Sequence, residues 1–159
     1  MILGVGNPII PGDNIGLQVA EQLRGIIKHD NIKVDTACTG GLNLIDLMIG
    51  YHKVIVIDII HEKSGAIGEV RRYCIEDIPY QPAFNPHALS LPEAFKIADK
   101  LGYHNLPREI IVIGITASTI PHEFNYDTHQ GSRSTVITRA VDMILKELNY
   151  KGEEVIVHE

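Results

Sequence analysis

Two unbroken β-branched runs constrain the fold more than anything else in the chain. Val54-Ile55-Val56-Ile57 stands between Lys53 and Asp58, and Ile110-Ile111-Val112-Ile113-Gly114-Ile115 repeats the pattern further on. Each is too short for a helix and apolar on both faces, which suits a central strand covered from both sides, usually in a parallel sheet. Ile2–Val5 and Ile32–Val34 read as shorter strands of the same kind. Helical patterns lie between and after them. Ile15, Val19, Leu23, Ile26 and Ile27 recur at three- and four-residue spacing, and so do Val136, Ile137, Ala140, Val141, Ile144, Leu145 and Leu148.

Ser90-Leu91-Pro92-Glu93 predicts another helix start, with Ser90 as cap, Pro92 in the first turn and Glu93 at the capping-box position. That helix is expected over 91–101, before Gly102. A shorter apolar helix is expected from Gly41 to Met48, ended by Gly50. After a turn from Gly65 to Gly68, the segment Glu69–Ile75 alternates more and carries Arg71 and Arg72, as an exposed antiparallel edge strand does. The expected architecture is α/β: a three-layer α/β/α sandwich with a mostly parallel twisted sheet and one antiparallel edge strand.

Length and composition narrow the function classes. At 159 residues, 45% hydrophobic and 21% charged, residues 1–159 read as one globular domain. The 14 Lys and Arg against 20 Asp and Glu give a net charge of −6, with the positive charges scattered, which argues against a nucleic-acid partner. No apolar run approaches the roughly 18 to 20 residues of a membrane span, and no basic-then-apolar leader opens the chain. A cytoplasmic protein without a membrane partner is expected. Cys38 and Cys74 form no CxxC pair and read as reduced thiols.

In open α/β sheets ligands bind beyond the carboxyl ends of the strands. The first such connection here runs from Gly4 to Gly16, the second holds Cys38-Thr39-Gly40-Gly41, the third begins at Asp58, and a later loop carries Asn85-Pro86-His87. Asp13, directly before an amphipathic helix, reads as its N-cap, with a second carboxylate oxygen free to face the crevice. Asp58 ends an apolar strand, where a carboxylate is costly unless hydrogen-bonded, paired or bound to metal. Two carboxylates and the His87 imidazole converging without a fourth protein ligand would make a metal site open to substrate or water.

Other motifs fall short. Gly4-Val5-Gly6 invites a dinucleotide-binding reading, but Ile9 stands where the third glycine belongs, and Pro8 and Pro11 remove two amides. His61-Glu62 and His122-Glu123 lack the second histidine of a zincin helix, with Gly65 and Tyr126 in its place, and read as surface charge. Cys38 beside Thr39 raises a thiol nucleophile, against which a free cysteine is more often a small buried hydrophobe.

With these pieces in order, the chain resembles the [NiFe]-hydrogenase maturation endopeptidases. The resemblance rests on Gly4-Val5-Gly6-Asn7 with Asp13-Asn14-Ile15-Gly16, then Thr39-Gly40-Gly41, Val56-Ile57-Asp58, Pro86-His87-Ala88-Leu89 and, more loosely, Ile113-Gly114-Ile115. It implies an aspartyl-type, metal-assisted endopeptidase that trims the C-terminal extension of a hydrogenase large-subunit precursor. It implies that Asp13, Asp58 and His87 are the catalytic and metal-binding residues, and that Asn7, Thr39, Gly40 and Gly41 form loops of the substrate cleft. The metal is implied to be nickel supplied by the substrate, with no organic cofactor and a monomeric enzyme. The family usually has two consecutive acids where this chain has Gly12-Asp13, so only the second is present, and Pro8 and Pro11 stiffen the loop. The first strand is a few residues shorter than the family's, as a misassigned start codon would make it. The alternatives kept beside this reading are a non-catalytic chaperone that senses the metallated precursor and a nucleotide-binding module.

Overall fold

The structure is a computed structural model that describes residues 1–10, 12–61, 66–78, 89–117, 132–151 and 154–155. Five strands form one sheet in the order β2-β1-β3-β5-β4, from β1 (Ile2–Val5), β2 (Val34–Ala37), β3 (Lys53–His61), β4 (Val70–Cys74) and β5 (Glu109–Ala117). The pairs β1·β2, β1·β3 and β3·β5 are parallel, and β4 runs antiparallel to β5 at the edge. This is the α/β sheet expected from the two apolar runs, with Arg71 and Arg72 on the antiparallel edge strand. A small separate pair, β6 (Tyr150–Lys151) and β7 (Glu154–Val155), follows near the end.

Alternation along β3 and β5 sends side chains to two cores. Ile55, Ile57 and Ile59 with Ile111, Ile113 and Ile115 pack under α1 (Ile15–Ile26) and α4 (Arg133–Glu147). Val54, Val56 and Ile60 with Ile110 and Val112 pack under α2 (Leu42–Met48) and α3 (Leu91–Lys100). Helices on both faces of the sheet complete the three layers. Burying a β-branched side chain on each face contributes roughly 1.5–3 kcal/mol per residue, which is why these two strands dominate the pattern.

The helix starts at α3 and α1 show how far local chemistry sets them. At α3 the capping box forms as expected: Glu93 N donates to Ser90 Oγ at 3.4 Å, and Ser90 N donates to Glu93 Oε2 at 3.0 Å. At α1 the N-cap is Asn14 and no side chain caps the first turn. Asp13 is therefore not the cap. The second strand also differs from expectation, starting at Val34 instead of Ile32, because pairing of Ile2 through Val5 with Val34 through Ala37 sets its register. Among the described residues no helix is long and apolar enough to cross a membrane.

Strand order turns at the β1/β3 boundary: β2 lies on one side of β1, while β3, β5 and β4 lie on the other. A crevice opens at such a reversal, at the carboxyl ends of the strands.

Candidate active site

The connection from β1 to α1 is built around Asn7 and Asp13. Asn7 N donates to Asp13 Oδ2 at 2.9 Å and lies 3.3 Å from Asp13 O. Asn7 Oδ1 accepts from Ile9 N at 2.9 Å, Asn7 O accepts from Ile10 N at 3.2 Å, and Ile10 O accepts from Asp13 N at 3.1 Å. These bonds explain the lost cap. The Asp13 carboxylate turns back to the Asn7 amide across the loop instead of forward to the helix. The segment weighed as a nucleotide loop is thus a turn closed on its own backbone. Glycine permits the closure, since a Cβ at Gly6 would stand 2.0 Å from Asp13 O. Gly16 does the same for the helix, where a Cβ would meet Val5 O at 2.4 Å and Ile57 O at 2.6 Å. Helix α1 therefore sits directly on β1 and β3, and Asp13 is carried to the strand that bears Asp58.

Asp58 does not end its strand. Pairing of β3 with β5 continues past Asp58 and Gly114 to His61 and Ala117. Asp58 thus falls between Val56 and Ile60 on the face under α2 and α3, half-buried, with its Oδ1 accepting from Ile59 N at 2.8 Å. Burial pushes its carboxyl up to about 7; the Ile59 amide opposes the shift and the neighbouring Asp13 charge adds to it. Burial also raises Asp13, against the Asn7 amide and the charge of His61.

Both carboxylates line one cavity of about 510 Å³ over the crevice, with Thr39, Gly40 and Gly41 along one wall. Val56 and Val112 give it an apolar floor. The glycine loop thus borders this cavity. Asn7 is not among the described residues that line the cavity and acts on it through the amide that holds Asp13. His87, with Asn85, Pro86 and Ala88, lies outside the described residues, as do Pro11, Gly65, Glu62 and the His122-Glu123 pair with Tyr126.

His61 corrects an expectation. Read as surface charge, it lies at the carboxyl end of β3, lines the cavity and acts electrostatically on Asp13. The signal in the sequence was its place three residues after Asp58 on a strand that had not yet ended. Glu76, Glu93 and Lys96 also line the cavity and had been assigned no site role. Cys38 is exposed and free, so it is not the small buried hydrophobe expected, and it is not among the described cavity residues.

Among the described residues no cluster of three His, Cys, Asp or Glu side chains is arranged to hold a metal ion. What the described residues present is a pair of carboxylates with unequal proton affinity in a partly apolar cavity. Such a pair suits acid–base work on a bound polar bond.

Residues 17–148 match the family model for hydrogenase maturation protease, HycI. The chain is 26% identical over 165 residues to the hydrogenase 2 maturation protease of Escherichia coli (strain K12), covering 100% of this chain and 96% of that protein. The fold is shared with the hydrogenase maturating endopeptidase HybD from E. coli, at a TM-score of 0.67 and 23% identity, over 93% of this chain and 90% of that one. It is shared too with the [NiFe] hydrogenase maturation protease HycI from Thermococcus kodakarensis KOD1, at a TM-score of 0.63 and 22% identity over 93% and 90% of the two chains. The chain therefore belongs to the hydrogenase maturation protease family, and its activity is hydrolysis of a peptide bond.

Proposed function

We propose that this chain removes the C-terminal extension of a nickel-loaded [NiFe]-hydrogenase large-subunit precursor, with Asp13 and Asp58 as the reacting carboxylates. The observation that carries the reading is their meeting in one cavity, Asp13 from the connection after β1 and Asp58 from the adjoining strand β3, with the Asp58 carboxyl pushed up to about 7 by burial. A group with that proton affinity takes a proton from water and returns it at the pH of the cell. Water adds to the scissile carbonyl and gives its proton to Asp58. The same proton passes to the leaving amine as the C–N bond breaks. Asp13, kept in place by the Asn7 amide, is the carboxylate left to face the metal that the substrate carries.

The nickel belongs to the substrate. Carried on precursor thiolates, it would supply the charge that polarises the scissile carbonyl, with Asp13 and His87 the groups proposed to meet it while Asp58 takes the proton. Carboxylate and imidazole donors alone distinguish nickel from zinc poorly, so the loaded precursor provides the selectivity. The enzyme works as a cytoplasmic monomer without an organic cofactor.

The test is intact-mass analysis of the precursor from the same genome, nickel-loaded and apo, each incubated with the protein. Trimming of the loaded form alone is expected. Equal rates on both forms would contradict the role of nickel.

A further inference from the structure

Helix α1 begins directly after Asn14, itself joined to Asp13, yet no side chain caps its start. Asparagine is a favoured cap residue, but here the Asn14 side chain makes no bond to the amides of the first turn. Its Oδ1 accepts instead from Nη2 of Arg133, the first residue of α4. Arg133 Nε donates to Gln18 Oε1 at 2.8 Å. Asn14 and Gln18 stand one turn apart on one face of α1. The planar guanidinium presents its donors in a fixed fork, so the two bonds together fix how the start of α1 sits against α4.

Gly16 allows α1 to lie close on β1 and β3, where Val5 O and Ile57 O leave no room for a Cβ. Close approach sets the height of the helix above the sheet, but not its setting along or about its own axis. The Arg133 fork grips the end of α1 that is covalently joined to Asp13. Arg133 is not among the described residues that line the cavity, so its path to the site runs through that end of the helix.

We infer that Arg133 is a positioning residue for Asp13, its guanidinium holding Asn14 and Gln18 so that the Asp13 carboxylate stays on the Asn7 amide and in the shared cavity. The inference rests on the proposed function for the reaction that Asp13 serves. The fork and its hold on the β1–α1 connection do not depend on that reading.

Two readouts test it. Exchange of the Asn7 backbone amide, followed by NMR without substrate, reads the bond to Asp13, while Val112 in the central sheet reports global opening. Arg133→Ala and Asn14→Ala are each expected to speed Asn7 exchange about tenfold and to leave Val112 within about twofold of the wild type. On the nickel-loaded precursor, each is expected to lower kcat about tenfold with KM within about twofold, and the double variant to fall no further, since both substitutions remove one interaction. Asn14 has no cap bond to lose, so Asn14→Ala carries the test if Arg133→Ala does not fold. Asn7 exchange at the wild-type rate in the folded variants would overturn the inference. So would equal acceleration at Asn7 and Val112, which marks a contact that serves stability alone. With a wild type that cuts, unchanged kcat, or losses that multiply in the double variant, would overturn it too. Selective acceleration at Asn7 while the wild type releases no fragment would leave the Arg133 clamp standing and remove the proposed function.

Discussion

Asp13, on the connection after β1, and Asp58, on the adjoining strand β3, face a single cavity. Their environments differ: Asp58 is raised to about 7, chiefly by burial, while the Asn7 amide and the His61 charge restrain the rise at Asp13. Under the proposed function, that difference makes Asp58 the carboxylate that handles the proton.

Such an environment costs stability, with a definite sign. The folded carboxyl of Asp58 keeps its proton up to about pH 7, while the unfolded chain releases it near the ordinary value of 3.8. The unfolded state is therefore favoured progressively as pH rises from about 4 to about 7, with no further change above. Asp58→Asn has no proton to lose. It should exceed the wild type in stability by on the order of 2–4 kcal/mol at pH 8, with the gain shrinking toward pH 4. Urea unfolding at pH 4, 6 and 8 checks this, and a gain independent of pH would contradict it.

The seat of α1 makes a second prediction. A Cβ at Gly16 meets the backbone oxygens of Val5 and Ile57, neither of which can move without shifting a strand. Gly16→Ala should cost about 1–3 kcal/mol or more and reduce cleavage even well below the unfolding temperature, because it separates Asp13 from Asp58. Gly25 lies on the same helix with nothing within 4 Å of its would-be Cβ. Gly25→Ala should stabilise by about 0.5–1 kcal/mol and leave cleavage unchanged. Paired unfolding and activity measurements separate the two positions.

His61 supplies a third. Its charge lowers the Asp13 carboxyl, so His61→Gln should move the acid limb of the pH–rate profile to higher pH and reduce kcat/KM about tenfold, equivalent to roughly 1.4 kcal/mol of transition-state stabilisation. A surface histidine would leave both unchanged.

These residues also show where sequence reasoning reaches its limit. The central strands were legible because β3 and β5 are apolar on both faces, and the α3 start because Ser90 and Glu93 satisfy each other locally. The meeting of Asp13 and Asp58 in one cavity was legible because the carboxyl halves of the strands converge on a crevice in this architecture. The bounds of β2 were not, since Asp35 and Thr36 enter the sheet by pairing with Leu3 and Gly4, not by their own hydrophobicity. The bond made by Asp13 differs from the expected cap for a similar reason: the cap rule is local, whereas the turn through Asn7 supplies a competing amide. His61 was missed because the end of β3 is set by its partner β5, which extends pairing to Ala117.

The central claim is that Asp13 and Asp58 together hydrolyse one bond of the precursor. The most direct measurement is intact mass of the nickel-loaded precursor after incubation with the wild type, Asp13→Asn and Asp58→Asn, each confirmed folded by thermal unfolding. A single C-terminal fragment released by the wild type and by neither variant is expected. Release by Asp58→Asn at the wild-type rate would contradict the account.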